Sequence, residues 1–139
     1  MQYDDLMTKT FTFPGVVFTA GGTKKLQLPF GAKLARVLDI SVRASVTFTQ
    51  TTTPALVEVG DGTNASAFAQ LNCGAVAAGS TIGGADVGGV EVQPPYNAQN
   101  YNSGAGLHDL ILTFVAPTGG APAGTGDVEV SLGFDRVGK

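Results

Sequence analysis

The sequence is short of charge. Only 14% of its 139 residues are Asp, Glu, Lys or Arg, whereas an ordinary soluble domain has about 25%. Hydrophobic residues make up a normal 43%, and 20 glycines together with Thr, Ser, Asn and Gln replace the missing charge. Because a free monomer relies on surface charge for solubility, the shortage indicates a surface that contacts other protein. A lightly charged, monomeric β-domain is the alternative.

Cysteine and histidine are almost absent as well. A single cysteine, Cys73, excludes an intrachain disulfide and a cysteine-based metal site. The only histidine, His108, precedes Asp109, but neighbouring residues of a strand point to opposite faces and do not form a catalytic pair. One His and one Cys also fall short of the three or four ligands of a transition-metal site. We predict no cofactor and no metal centre.

Long hydrophobic runs and basic clusters are missing too. No stretch reaches 18 consecutive apolar residues, so no membrane-spanning helix is predicted, and the start of the chain, with Asp4 and Asp5, does not have the pattern of a signal peptide. The net charge is −3, and the few basic residues are scattered, which argues against a nucleic-acid partner. We expect one domain over residues 1–139, made in a cytoplasm, with a core of its own.

What the sequence does contain is a period of two. The run "LDISVRASVTFTQ", residues 38–50, alternates six apolar with six polar residues, which is typical of a half-buried strand. Similar runs cover residues 9–19, 23–30, 54–60, 88–93, 107–116 and 127–137. Pro14 and Gly15 interrupt the first of these, so that strand is predicted to lie at a sheet edge or to be bulged. The side chains expected on buried faces include Leu38, Ile40, Val42, Ala44, Val46, Phe48, Leu110, Leu112, Phe114, Val128, Val130, Leu132 and Phe134.

These runs predict an all-β fold. Gly-, Pro- and Asn-rich connectors at 74–89, 94–106 and 117–126 are long for hairpins, which favours strands that cross between two sheets. We therefore predict an antiparallel β-sandwich, with a jelly roll of about eight strands as the first choice and an immunoglobulin-like sandwich as the alternative. One short helix is expected at about 64–71, with Thr63 or Asn64 as its N-cap.

Two motifs resemble binding sites, but the elements predicted around them do not fit those sites. The pattern G-x-G-x-x-A at 60–65, with Asp86 further on, has the outline of a dinucleotide fingerprint, but that fingerprint needs a βαβ unit. We interpret it as a tight turn in which glycine supplies positive φ. The same loop lacks the spacing and the Glu of an EF-hand, so Asp61 and Asn64 leave at most a weak Ca²⁺ site.

Carboxylate pairs do not make a credible enzyme either. Glu58 with Glu91, or Glu129 with Asp135, would be the candidates for a glycosidase pair. Each of these residues occupies a polar position of an alternating strand, where a solvated charge is expected. We predict that the protein is not an enzyme.

The most distinctive loop is "PPYNAQNYNSGAG", residues 94–106. Tyr96 and Tyr101 stand among asparagine and glutamine residues. Tyrosine supplies contact area and amides supply adaptable hydrogen bonds, so this composition suits a contact with a protein or a sugar. The alternative is a loop whose tyrosines pack onto the protein's own core.

The segment "LDISVRASVTFTQTTTPALVEVGDGTNASAFAQL", residues 38–71, with its Gly/Pro-rich crossovers, resembles the jelly-roll capsid cement, or decoration, proteins of short-tailed bacteriophages. In these a long alternating strand precedes a V-x-V-G-D-G-T turn and a short helix. The resemblance implies a non-enzymatic virion protein on the capsid exterior, which stabilises the shell by bridging subunits of the major capsid protein. It also implies a homo-oligomer, either a dimer or a trimer.

Within that hypothesis, we expect the contacts with the capsid or another partner in two places. One is the N-terminal segment 1–10, expected to be an extended arm, and the other is the tyrosine loop. The predicted contact residues are Tyr3, Asp4, Asp5, Leu6, Met7, Tyr96, Asn97, Asn100, Tyr101 and Asn102. The alternative function is a carbohydrate- or receptor-binding module of the tail-fibre or adhesin type, which would hold a glycan with the same tyrosine loop.

Overall fold

The computed structural model describes residues 7–26, 32–60, 64–66, 69–83, 96–97 and 110–136. These residues form nine strands and one 3₁₀ turn, Phe18–Ala20. None of the described helical segments is long and apolar enough to cross a membrane. The strands are β1 (Met7–Val17), β2 (Gly22–Lys25), β3 (Ala32–Thr49), β4 (Leu56–Gly60), β5 (Ala69–Asn72), β6 (Thr81–Gly83), β7 (Tyr96–Asn97), β8 (Ile111–Val115) and β9 (Ala123–Arg136).

The strands form two antiparallel sheets packed as a sandwich. The first sheet has the order β1-β9-β3-β6, and the short β7 also pairs with β3; the second has the order β2-β8-β4-β5. The pairs β1–β9, β2–β8, β3–β6 and β4–β5 are nested in sequence, as in a long hairpin wound around itself. This nesting is the jelly-roll arrangement. It confirms the first choice of fold, and the immunoglobulin-like alternative is wrong.

The long strand β3 follows the predicted alternation in part. Four residues of the predicted apolar face, Ile40, Val42, Ala44 and Phe48, are buried. Leu38 and Val46 were expected beside them, but they are 40% and 47% exposed, and Val37 is buried instead. The register against β9 shifts between Val37 and Asp39 and on both sides of Val46. A bulge inserts an unpaired residue and changes which face the next side chains occupy, which explains both departures.

The core lies between the two sheets. The predicted burial of Leu110, just before β8, and of Leu112, Phe114, Val128, Val130 and Leu132 is confirmed. The side chain of Phe134, predicted on the same face, lies outside the described part of the structure. Phe18, on the 3₁₀ turn, joins the sheets by packing edge-on to Phe48 of β3 and Phe114 of β8, with ring centroids 5.0 and 5.6 Å apart. No polar or charged side chain of the described residues is buried. The core therefore holds together by apolar packing.

The break in β1 at Pro14 and Gly15 is confirmed in both of its predicted forms. β1 is the outermost strand of its sheet, and its register against β9 shifts between Phe13 and Val16. Gly15 has a φ of 65° and donates its backbone N–H to Asp127 Oδ1 at 2.9 Å. A positive φ favours glycine, so the Pro-Gly pair and the carboxylate of Asp127 together define the bulge.

The predicted helix at 64–71 is wrong. Residues 69–72 form β5, which pairs with β4, and its residues alternate between buried and half-buried positions. The side-chain oxygen of Asn64 accepts the backbone N–H of Ser66 at 3.1 Å, so Asn64 stabilises a turn instead of capping a helix. Pairing with β4 outweighs the helix propensity of an alanine-rich segment.

Gly60 is needed for a reason other than the predicted one. Its φ is not positive. A Cβ at Gly60 would instead collide with the backbone of Asn64 and Ala65, so the returning turn passes directly over it. Thr63 and the second glycine of the motif lie outside the described residues. No parallel strand pair is present in the described sheets, which agrees with the rejection of the dinucleotide fingerprint.

Three segments predicted as connectors contribute strand residues. β6 falls within 74–89, β7 falls within 94–106, and β9 begins at Ala123 inside 117–126. β6 and β7 are short edge strands that are held by pairing with β3, so their own residues carry little alternation. The predicted strand at 88–93 lies outside the described residues.

Candidate interaction surfaces

The outward face of the first sheet is rich in hydroxyl groups. Rows of residues directly opposite one another cross β1, β9 and β3, such as Thr12, Glu129 and Ser41. In a neighbouring row, Thr10 Oγ1 and Ser131 Oγ lie 3.0 Å apart and share a hydrogen bond. We call this surface the hydroxyl face; its residues are Thr8, Thr10, Thr12, Asp39, Ser41, Arg43, Asp127, Glu129 and Ser131.

Three of the four charged residues on the hydroxyl face are acidic. Arg43 of β3 stands directly opposite Asp127 of β9, and the other two acids, Asp39 and Glu129, lie along the same two strands. This excess of negative charge is opposite in sign to the basic patch that a nucleic-acid surface needs. The exposed Leu38, which lies against Gly133 of β9, adds apolar area. The face suits close packing against another protein surface.

The outward face of the second sheet is different in composition. Leu56 of β4 and Val115 of β8 are opposite each other, and Ile111 lies further along β8. All three are half-buried. At the centre of this face, Gln70 Nε2 donates to Glu58 Oε2 at 2.6 Å. The polar pair belongs to a row that crosses all four strands and continues through Thr113 of β8 and Thr23 of β2. This face thus has one polar row with aliphatic residues on either side of it.

The structure places the last predicted contact residue of the N-terminal segment and the first one of the tyrosine loop in one row at one end of the first sheet. Met7 of β1 pairs with Phe134 of β9, Phe134 pairs with Ala35 of β3, and Ala35 pairs with Tyr96 of β7. These four residues form one row across four strands, so Met7 and Tyr96 lie three strand spacings apart, or about 14 Å. We call this the Met7–Tyr96 end.

The other predicted contact residues divide between described and undescribed parts of the chain. Asn97 lies in β7, beside Leu34 of β3. Residues 7–10 of the expected arm pair with β9, so a segment free of the sheet would comprise residues 1–6. Tyr3, Asp4, Asp5, Leu6, Asn100, Tyr101 and Asn102 lie outside the described residues, and so does His108. Their roles remain predictions.

A cleft of about 370 Å³ opens at the opposite end of β1. It lies between the bulged edge strand β1 and the edge strand β2, and no sequence pattern predicts it because it is formed by two separate edges. Phe13 and Phe114, whose ring centroids are 6.1 Å apart, contribute its aromatic lining. Lys24 is the one charged residue among the described residues that line it. We call this the β1–β2 cleft.

The single cysteine is a core residue. Cys73 is fully buried, and its backbone N–H donates to the carbonyl of Ala55 at 2.9 Å. Desolvation by burial raises the pKa of its thiol from 9.0 to about 12. Because the thiolate is the reactive form, Cys73 is not a nucleophile near neutral pH.

Of the four carboxylates in the two candidate glycosidase pairs, the structure describes the side chains of Glu58 and Glu129. Glu58 is engaged with Gln70, Glu129 is exposed, and Glu91 lies outside the described residues. Groups of three or more His, Cys, Asp or Glu that could hold a metal ion do not occur among the residues the structure describes. What this part of the chain offers is surfaces for contact.

Comparisons with known proteins give one weak structural similarity. No known protein family matches the sequence, and no curated protein does. Among solved structures, the chain is similar to the Cyanophage Pam1 capsid asymmetric unit, with 16% sequence identity and a TM-score of 0.47, over 94% of this chain and 83% of that chain. The jelly-roll assignment rests on the strand order and not on this similarity.

Proposed function

We propose that the chain is a non-enzymatic structural protein of a phage virion, which binds the outer surface of the capsid and bridges its major capsid subunits. The observation that carries the proposal is the row Met7–Phe134–Ala35–Tyr96. It places Met7 of the N-terminal segment and Tyr96 of the tyrosine loop in one row, three strand spacings apart, at one end of the first sheet. Two contact segments on one sheet can engage two neighbouring proteins of the shell at once, whether capsid subunits or copies of this chain.

The surface chemistry agrees with this role. Most side chains of the hydroxyl face are short and uncharged or acidic, so the face can approach closely a protein surface that is neutral or basic. Each contact of this type is weak. A capsid, however, repeats the same site by symmetry, and a protein that holds two sites at once gains affinity from the high effective concentration of the second. Bridging therefore needs no deep pocket and no catalytic group.

The test is binding to capsid shells that lack this protein, assembled from the major capsid protein of the same genome. We expect the intact chain to sediment with the shells and to raise the temperature at which they break. Deletion of residues 2–6, or the double substitution Tyr96→Ala and Tyr101→Ala, should each weaken co-sedimentation at least tenfold. Lys25→Gln, an exposed position of the second sheet, is the matched control and should bind as the intact chain does.

The outcomes separate the proposal from its alternative. If both the deletion and the double substitution bind like the intact chain, the two segments are not the contacts and the assignment is wrong. If the intact chain ignores the shells but binds a sugar on a glycan array, and the Tyr96→Ala and Tyr101→Ala variant does not, the protein is a carbohydrate-binding module. In that case the tyrosine loop is a glycan site.

A further inference from the structure

The β1–β2 cleft has the chemistry of a docking site for an acidic, extended segment. Its lining comes from Thr12 to Val17 of β1, from the 3₁₀ turn and β2, and from Phe114. Among the described residues that line it, Lys24 is positive and none is acidic. Asp127, which accepts the N–H of Gly15 at the bulge, is not one of the lining residues. A ligand with a carboxylate and an apolar side chain would match both parts of this lining.

Strand addition along β1 is not the mode of binding that these edges favour. Pro14 lacks an N–H, the bulge breaks the register, and Lys9 places its ammonium over the Phe11 ring at 5.3 Å from the ring centroid. On the other side of the cleft, β2 carries Lys24 and Lys25 on a strand of four residues. Proline, bulges and lysines are the devices by which edge strands avoid pairing with other strands. An occupant is therefore held by its side chains.

The chain itself contains a segment of the complementary chemistry. Residues 3–6 read Tyr-Asp-Asp-Leu, which combines two carboxylates with an aromatic and an aliphatic side chain. This segment immediately precedes Met7, at the far end of β1 from the cleft. Its carboxylates are opposite in charge to Lys24, and its aromatic and aliphatic side chains match the apolar lining of the cleft. The sequence therefore favours this segment as the occupant.

The two carboxylates of the segment cannot reach the cleft of their own copy. A reversal of chain direction takes four residues and leaves its ends within about 7 Å of each other. If the chain turned back at Met7, Asp4 would therefore lie within about 7 Å of Met7. Thr12 is the lining residue of β1 closest to Met7, and it lies five residues along the strand, or about 17 Å away. The carboxylates that reach a cleft must come from another copy.

We infer that the N-terminal segment of one copy docks in the β1–β2 cleft of a second copy, with Asp4 or Asp5 facing Lys24 and with Tyr3 or Leu6 against Phe13 and Phe114. This inference rests on the proposed function and deepens it, because it divides the two contact segments between two partners. The tyrosine loop then meets the capsid, and the N-terminal segment meets the neighbouring copy. Such a contact joins unlike surfaces, as in rings and open chains of subunits.

Variants with one added cysteine test the inference directly, since the native Cys73 is buried and does not form disulfides with other chains. Asp4→Cys and Lys24→Cys are prepared separately, with an affinity tag on one of them, and then mixed under mild oxidation. We expect a disulfide-linked pair of one tagged and one untagged chain. Lys25→Cys is the matched control: adjacent residues of a strand point to opposite faces, so its mixture with Asp4→Cys should give at least fivefold less of the linked pair.

Charge exchange gives an independent measurement. Sedimentation velocity should show that Lys24→Asp weakens self-association roughly fivefold or more, which corresponds to about 1 kcal/mol for an exposed ion pair. The double substitution Asp4→Lys and Asp5→Lys should do the same, and its combination with Lys24→Asp should restore association. Restoration distinguishes a direct charge contact from a loss of fold.

Each outcome decides the inference. It is overturned if the mixture forms no linked pair, if Lys25→Cys links as well as Lys24→Cys, or if the intact chain is monomeric at every concentration tested. Linkage only within the double variant Asp4→Cys and Lys24→Cys would show docking in the same copy, and that too overturns it. If the exchange fails while deletion of residues 2–6 still abolishes capsid binding, the proposed function stands. If the charge exchange restores association but the chain does not bind capsids, the proposed function is wrong and the docking inference stands.

Discussion

The two ends of β1 differ in almost every respect. At the Met7–Tyr96 end four strands share one row, although the register between β3 and β9 shifts on both sides of it, and the predicted contact segments adjoin this end. The opposite end is bulged at Pro14 and Gly15, turns through Phe18, and opens into an aromatic cleft beside Lys24. In our proposals, one end supplies the contact segments and the other end binds a segment of a neighbouring copy. A molecule with unlike ends is suited to joining neighbours on a repeating surface.

The largest predicted effect concerns what supports the cleft end. Phe18 is fully buried and packs against Phe48 and Phe114, the latter of which also lines the cleft. Phe18→Ala removes these contacts and leaves a cavity, so we expect a loss of about 3 to 5 kcal/mol in the free energy of unfolding. Chemical denaturation measures it. Its neighbour Val17 is 49% exposed, and Val17→Ala should cost less than about 0.5 kcal/mol; equal costs would refute the anchoring role.

The bulge should be the next most sensitive feature of that end. Gly15 has a φ of 65°, and no atom lies within 4 Å of the position that a Cβ would occupy, so the cost of a side chain there is backbone strain alone. We expect Gly15→Ala to destabilise by about 1 to 2 kcal/mol and Gly15→Asn by less, because asparagine tolerates this conformation better. Urea denaturation of the two variants gives the comparison. Alanine and asparagine of equal stability would mean that strain does not define the bulge.

Cys73 matters for experiments at both ends, because cross-linking through added cysteines requires that the native thiol does not react. Burial raises the pKa of its thiol from 9.0 in the unfolded chain to about 12 in the folded one. The thiol therefore leaves stability unaffected below pH 9. As the pH rises from 9 toward 12, ionisation of the thiol in the unfolded chain lowers the free energy of unfolding. Between about pH 8 and about pH 10 the intact chain should lose about 1 kcal/mol more than Cys73→Ala. Paired denaturation curves at the two pH values measure the difference. Parallel losses would mean that the buried thiol ionises as readily as an exposed one.

The smallest effect is expected on the hydroxyl face, toward the Met7–Tyr96 end. Thr10 is exposed, and its bond with Ser131 is a contact between two surface hydroxyls. Thr10→Ala should change the free energy of unfolding by less than about 0.5 kcal/mol. A fluorescence-monitored melt of Thr10→Ala beside Thr12→Ala, whose residue stands opposite Glu129 instead of a hydroxyl, is a sufficient check. A cost above about 1 kcal/mol at Thr10 alone would give this face a structural role.

Much of the fold could be predicted because its signals are local. Alternation identified β3, and the buried faces of β8 and β9 followed from the same pattern. Pro14 and Gly15 predict the bulge, because proline has no backbone N–H to donate to a neighbouring strand. The exposure of Leu38 and Val46 was missed, since it depends on bulges against β9, a strand from the other end of the chain. The sequence "ASAFAQL" predicts a helix where β5 lies, because the pairing with β4 that makes this segment a strand produces no local sequence pattern.

The candidate surfaces were less accessible to sequence reasoning. The composition of the N-terminal and tyrosine segments marked them as contacts, but their proximity is a matter of register. Met7 and Tyr96 share a row only because Phe134 and Ala35 lie between them. The β1–β2 cleft is formed by two strand edges and a phenylalanine of β8, none of which carries a motif. Its one sequence clue would have been Lys24, an ordinary lysine of an edge strand.

A cryo-electron microscopy map of the protein bound to its capsid shell would show directly whether the two ends of β1 serve two different partners. We expect the Met7–Tyr96 end to face the shell and the tyrosine loop to contact major capsid subunits. We also expect density from a neighbouring copy's N-terminal segment in the β1–β2 cleft, beside Lys24. A map in which the Met7–Tyr96 end points away from the shell would refute this division between the two ends.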